Sequence, residues 1–345
     1  MVKKRVLFVM CSALLLAACN KDTSEEVKPV SAEPEEVEEA VEELPYTTPF
    51  TGEKVAEESL LRPILVTINN HPDARPQSGI ASADVVYEML AEGDVTRFLA
   101  LYQSEIPTNI GPIRSARSYF VDIAKGLDAF YIAHGYSPEA KSMLTSGVID
   151  NINGMNYDGT LFQRSNERRA PHNSYMPGEN VTAAAEKVGA SLLYQKKVLY
   201  SFYEEQDNVK IGTKANEVSI SYSNSAFNST YTYNAEENLY TRASAGEQTV
   251  DDLTGEPVQL SNVLFFEMSH RIIDNEGRRD IDITSGGTAY VAQQGMLREV
   301  RWENRDGLLV AIENDGSEML LVPGQTWIHF VPTSPGIAAS VSYSE

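Results

Sequence analysis

The sequence predicts an α+β fold, with an α/β N-terminal lobe built on a mixed sheet and a β-rich, mostly antiparallel C-terminal lobe. Three observations predict it. Before about residue 195, apolar β-branched runs alternate with short helical patterns that carry their own start and stop residues. Beyond it, short alternating runs follow one another, separated by turn dipeptides such as Asp306-Gly307 and Asp315-Gly316. The apolar content of 42% is that of an ordinary globular protein.

The first residues stand apart. "MVKKRV" is a basic n-region, and "LFVMCSALLLAA" is apolar but too short to span a bilayer comfortably. The stretch ends in "LAAC", and small residues before a cysteine at this distance match a bacterial lipoprotein cleavage box. Residues 1–19 are therefore expected to be a signal peptide ending at the lipidated Cys19, with a plain signal peptide or a short anchor as the alternative. Two acyl chains on one cysteine would hold a membrane stably, where a single chain does not. Residues 20–45 carry about ten acids and two lysines and no aromatic. Such a segment cannot bury enough apolar surface to order itself. It is expected to be a disordered acidic tether, with a reach of about 85 Å at about 3.3 Å per residue. Of the two cysteines, Cys11 would leave with the signal peptide, so the exported part would have no disulfide.

Two domains are expected beyond the tether, residues 46–195 and 196–345. In the first, "RPILVTINN" reads as a buried strand and "HPDARPQSG" as a loop. "DVVYEMLAEGDVTRFLALYQS" reads as a hairpin turning at Gly93-Asp94. Residues 114–126, "RSARSYFVDIAKG", read as a helix with Phe120, Ile123 and Ala124 inward. "AFYIAHG" is a further strand. "SPEAKSMLTSG" is a helix with Ser137 as N-cap, Pro138 at its first position and Gly147 past its end. "GENVTAAAEKVG" is another. In the second domain the strand-like runs are "EVSISYS", "STYTYN", "NLYTRAS", "NVLFFEMS", "DIDITSG", "TAYVAQ", "LREVRW", "LLVAIEN", "EMLLVPG" and "TWIHFVP".

The net charge of −21 argues against nucleic acid and against broad adhesion to anionic polymers. An anion site must be a local cluster. Arg114 and Arg117, three apart behind Gly111-Pro112, would share a helix face beside free N-terminal amides, which suits a carboxylate or phosphate. The alternative is that both pair with acids of the hairpin. There, Glu88, Leu90 and Glu92 should share one face, with Arg97 reaching diagonally between the two glutamates. At about 13 Å apart along a strand, Glu88 and Glu92 are too far apart for a glycosidase pair. His134 follows a strand end, where crevices form. His172 lies in "RSNERRAPHNSY", a loop with Arg164, Arg168 and Arg169, and His71 is a third candidate. No metal spacing and no cofactor fingerprint occurs, so neither a metal nor a cofactor is expected.

Taken together, "RPILVTINNHPDARPQSGIASADVVYEMLAEGDVTRFLALYQS", "IGPIRSARSYFVDIA", "AHGYSP" and "RRAPHNSY" resemble the YerB-like lipoproteins, exported bacterial proteins without an established activity. The resemblance extends over residues 60–335, including "EMLLVPGQTWIHFVP". It implies a two-part α/β fold and an envelope location, and it implies no reaction.

The leading expectation is a lipoprotein anchored through Cys19 on the extracytoplasmic face. It would bind an anionic cell-envelope ligand, such as a wall glycan, or a wall-synthesis partner. Arg97, Arg114, Arg117, Arg164, His134 and His172 would meet in one cleft. One alternative is a hydrolase or transferase acting on wall glycan or a phosphodiester, with Glu88, Glu92, His134 or His172 catalytic. The other is a scaffold for membrane-bound wall synthases.

Overall fold

A computed structural model describes residues 44–196, 200–204 and 211–345. The signal peptide, Cys19 and nearly all of the tether lie outside the described residues. None of the described helices is long and apolar enough to cross a membrane.

The core is a single 11-stranded sheet. Its centre is the predicted hairpin, Val85–Glu92 and Val95–Tyr102. On one side lie Ile64–Asn69, Phe130–Ala133 and Asn151–Asn153, the last two joining in parallel. On the other side Thr326–Pro332 runs parallel to Val85–Glu92 and also parallel to Asn262–Met268. Gly287–Gln293, Met296–Arg305 and Leu308–Ile312 continue outward as an antiparallel meander, with Asp306 and Gly307 at positive φ in the last turn. The sheet thus draws strands from both sides of residue 195. The fold is α+β, with four of its five described α-helices in the first part and its β-rich portion in the second.

Both faces of the sheet are covered, which explains the near-continuous apolar runs of its central strands. Tyr87, Met89 and Leu99 pack with Phe120, Ile123 and Leu144 of the helices Ser118–Gly126 and Pro138–Thr145. Val86, Phe98 and Ala100 face the other core. There, Ala184 and Ala185 come from the helix Asn180–Val188, and Val218, Tyr231 and Tyr240 come from a second, six-stranded sheet. Ser137 caps its helix as expected, accepting from the Ala140 amide at 3.2 Å.

Four local expectations need correction. The register of the hairpin shifts between Leu90 and Glu92, so Leu90 faces Thr96 and Met89 faces Arg97. One extra residue in one strand inverts which way the following side chains point. Glu88 therefore lies on one face of the sheet and Glu92 on the other, with Arg97. Secondly, the helix predicted over 114–126 begins at Ser118, with Arg117 extended at the N-cap (φ −128°, ψ 158°). The preceding residues are already committed: Ile113 bridges Ile68, the Arg114 amide donates to Thr67 O, and the Ala116 amide donates to Gly135 O. Thirdly, "EMLLVPG" forms isolated bridges at Glu318 and Leu321 and no strand. Fourthly, "DIDITSG" contributes only the end of the short strand Arg279–Ile281.

Glu88 is fully buried, 0% exposed. Its Oε1 accepts from Asn70 Nδ2 (3.1 Å) and Thr96 Oγ1 (3.0 Å), and its Oε2 accepts from Arg242 Nη2 (2.9 Å) and Trp327 Nε1 (3.2 Å). Arg242 lies with its guanidinium carbon 4.6 Å from the Trp327 ring centre. His329 stacks on Phe265 and hydrogen-bonds Tyr222 and Tyr231. Replacing Glu88 with Gln leaves Arg242 buried without a counter-charge. The expected cost is about 3–5 kcal/mol, read as a lower urea midpoint.

Acid should also weaken the fold through His329. Burial lowers its imidazole from 6.5 to about 4, with Glu88 pulling upward and Arg242 downward. Between those values the unfolded chain binds the extra proton, so stability falls as pH falls through the window. Asp84 opposes this, because burial raises it to about 6 and it takes its proton in the folded state. In His329→Gln, the stability lost between pH 6.5 and 4 should shrink by up to about 3 kcal/mol. Urea titrations at several pH values measure it.

Candidate functional site

The "GPIRSA" segment is strapped across the carboxyl ends of the strands Ile64–Asn69 and Phe130–Ala133. Arg114 donates its amide to Thr67 O, and its carbonyl accepts from the His134 amide (3.0 Å). Such strand ends commonly carry binding crevices. The strap sets Arg114 and Arg117 beside the bulged end of the hairpin, where Glu92 now faces Arg97.

Glu92 bonds Arg97 through one oxygen and Arg117 through the other. Arg97 also donates to Ser115 O (2.9 Å), and Arg117 donates to Ala116 O (2.7 Å). Burial alone would raise the Glu92 carboxyl, but Arg97 and Arg117 outweigh it and hold the group below its ordinary value. Glu92 is therefore an anion at neutral pH and a poor general acid. Burial lowers Arg97 to about 9, Arg117 adding to the effect and Glu92 opposing it.

Arg114 differs from its neighbours. Among the described residues it has no ion pair and no side-chain hydrogen bond, and its Nε is buried without a partner. It borders a cleft of about 240 Å³ lined by Glu92, Arg97, Ser115, Arg117, Tyr136, Glu276 and Arg278. Arg278 is already held by Asp274 and Glu276. Burial lowers the Arg114 guanidinium from its ordinary value, Glu92 partly offsetting this.

Burial lowers both His134 and His172; Arg164 adds to this at His134 and His71 at His172, and the Arg114 charge lowers both further. Arg164 Nη2 donates to His134 Nε2 (3.0 Å), so Nδ1 carries the proton and donates to Ser174 Oγ (2.7 Å). In that tautomer His134 cannot take a proton from Ser174. Gly154 packs under the ring, where a Cβ would lie 2.3 Å from Nδ1. Arg164 is itself neutralised by Asp158, through Nε and Nη2. The structure thus joins Arg97, Arg114 and Arg117 around Glu92, and His134 with Arg164 beside them. Glu88 is sealed in the core, away from this cleft.

His71 and His172 stack, with ring centres 4.6 Å apart. With Asp73 they bring possible metal-ligating atoms within 4.8 Å of one another. The hydrogen bonds fit a cation poorly. Asn69 Oδ1 accepts from the His71 amide, so its Nδ2 donates to His172 Nδ1 (2.8 Å). His71 Nδ1 accepts from the Asp73 amide (3.2 Å). Both rings then carry their protons on Nε2, as donors suited to an anion.

Sequence reasoning missed Asn69, Ser174, Tyr136 and the Glu276–Arg278 turn. Asn69 alone had a signal, as a polar residue closing an apolar strand. The others reach the site from distant segments.

The site is therefore an arginine-rich cleft at the carboxyl ends of strands in an α+β sheet protein, with one cation left open. Two family models match the chain: residues 50–191 match the N-terminal domain, and residues 218–328 the C-terminal domain, of "Protein of unknown function (DUF3048)". The chain belongs to this family. It is 43% identical over 303 residues to "Putative lipoprotein YerB" of Bacillus subtilis (strain 168), covering 87% of this chain and 89% of that protein. The crystal structure of YerB from Bacillus subtilis matches with a TM-score of 0.80 at 40% identity, covering 87% of this chain and all of that one.

The ion-pair pattern sets apart the effects of neighbouring arginines on stability. Glu92→Gln should cost about 3–5 kcal/mol, because two buried guanidinium groups lose their counter-charge. Arg114→Gln should stay within about 1 kcal/mol of wild type, because no partner is left unpaired. Urea midpoints of the two variants test this.

Proposed function

We propose that this protein is a lipid-anchored envelope lipoprotein that holds an anionic cell-envelope ligand in the Arg97–Arg114–Arg117 cleft. The observation that carries the reading is Arg114, a half-buried guanidinium with no acidic partner among the described residues of a strongly acidic protein. A buried charge costs free energy unless something compensates it, and here an incoming anion would supply the compensation. Ser115 and Tyr136 line the same cleft, and His172, with its proton on Nε2, lies near enough to Arg114 to feel its charge.

The anchor rests on the "LAAC" box at Cys19 and on the lipoprotein name of the Bacillus relative. The acidic 20–45 tether would carry the domain away from lipid, on the extracytoplasmic face, toward wall polymer. The geometry favours holding a ligand over hydrolysing it. Glu92 is a paired anion, Glu88 is sealed from solvent, and His134 is fixed in a donor tautomer toward Ser174.

Titration of the purified protein with muropeptides, which present carboxylates, and with phosphorylated glycans tests the reading. Affinity should fall by about tenfold or more in Arg114→Gln, should weaken with salt, and should tighten in acid as His172, whose imidazole burial holds below its ordinary value, gains charge. Unchanged binding in Arg114→Gln would sink the proposal. Binding of neither ligand class, with crosslinking in cells to a wall synthase, would favour the scaffold.

A further inference from the structure

A second pocket lies on the other face of the hairpin, between the loop at 72–77 and the turn at 244–250. It has a volume of about 370 Å³, within the usual range for a small-molecule site. None of its lining residues borders the Arg114 cleft.

Three side chains there each keep one polar atom without a partner among the described residues. Arg242 is 1% exposed. It donates through Nη1 to Thr249 and through Nη2 to Glu88 and Ser229, which leaves its Nε without a partner. Ser244 is 3% exposed, and its hydroxyl has no partner. Among the described residues, no carboxylate lies within ion-pair range of Arg75. Its Nε and Nη2 bond carbonyls of Asn70 and Ala226, and its Nη1 carries no hydrogen bond. Burial and the neighbouring Arg242 lower Arg75 to about 10, with Glu88 and Glu247 acting in the opposite direction. It therefore stays charged at neutral pH. Native interiors rarely leave two buried donors unpaired at one place.

The remaining lining decides the charge and shape of the ligand. Pro72, Pro76 and Val250 give apolar walls, and Glu247 is the only acid among the described lining residues. One open guanidinium beside one glutamate suits a single negative charge and disfavours a dianion. A planar carboxylate matches a guanidinium fork.

We propose that this pocket binds a small organic carboxylate, its oxygens on Arg75 and the Ser244 hydroxyl and its apolar body against Pro72, Pro76 and Val250. The proposal is independent of the Arg114 cleft.

Titrating the protein with propionate, lactate and inorganic phosphate, followed by backbone amide NMR shifts, tests it. Saturable shifts should appear at 72–77 and 244–250 with propionate or lactate, and more weakly with phosphate. Ser244→Ala should weaken them several-fold while keeping or raising stability, because it removes an unpaired buried hydroxyl. Arg75→Gln should weaken them about tenfold or more, and Arg114→Gln should leave them unchanged. The proposal is overturned by any of three results: no saturable shift with either carboxylate, phosphate binding as tightly as the carboxylates, or full binding in both Ser244→Ala and Arg75→Gln.

Discussion

The Glu88 carboxylate is the constraint on which much of the molecule depends. An ionised carboxylate in a dry core is tolerable only with every lone-pair direction occupied. Here the partners come from four separated places: Asn70 after the first core strand, Thr96 across the hairpin, Arg242 in the second sheet and Trp327 in the last long strand. Apolar packing alone would tolerate small slips between these elements. The carboxylate does not, since any slip leaves a charge or an N–H unpaired. It fixes the second sheet against the first, and it fixes the Val85–Glu92 strand against Thr326–Pro332.

That fixed frame lets the other glutamate act differently. The bulge at the end of Val85–Glu92 sends Glu92 to the opposite face, where it binds two arginines and leaves a third open. Two carboxylates four residues apart thus divide between structure and site. One neutralises Arg242 in the core. The other orients Arg97 and Arg117 at a solvent-lined cleft, without cancelling Arg114.

The sequence was informative where local rules dominate. Alternation and β-branched runs located the hairpin, and Ser137-Pro138 and Gly147 marked helix ends that the structure bears out. It was uninformative where the answer depends on a distant partner. Nothing local to "EMLAEG" signals the bulge, which arises as Glu92 bridges Arg278 and Gly93 bonds Gly277, far along the chain. The "RSAR" pattern fits a helix by spacing, yet bonds to Thr67 and Gly135 hold its first residues extended. Of the candidate site, the arginines and histidines were legible as residue types. Which of them keeps an open charge was not, because that depends on where every acid ends up.

Thr326–Pro332 lies between Val85–Glu92 and Asn262–Met268, with parallel neighbours on both sides. In order of synthesis it comes after every other strand of the large sheet. Until it emerges, the two halves of that sheet present facing edges with unmade backbone hydrogen bonds, a state prone to aggregation. Completion of the sheet, and with it the seating of Trp327 on Glu88, is therefore timed by arrival of the C-terminal segment and not by collapse of the N-terminal half.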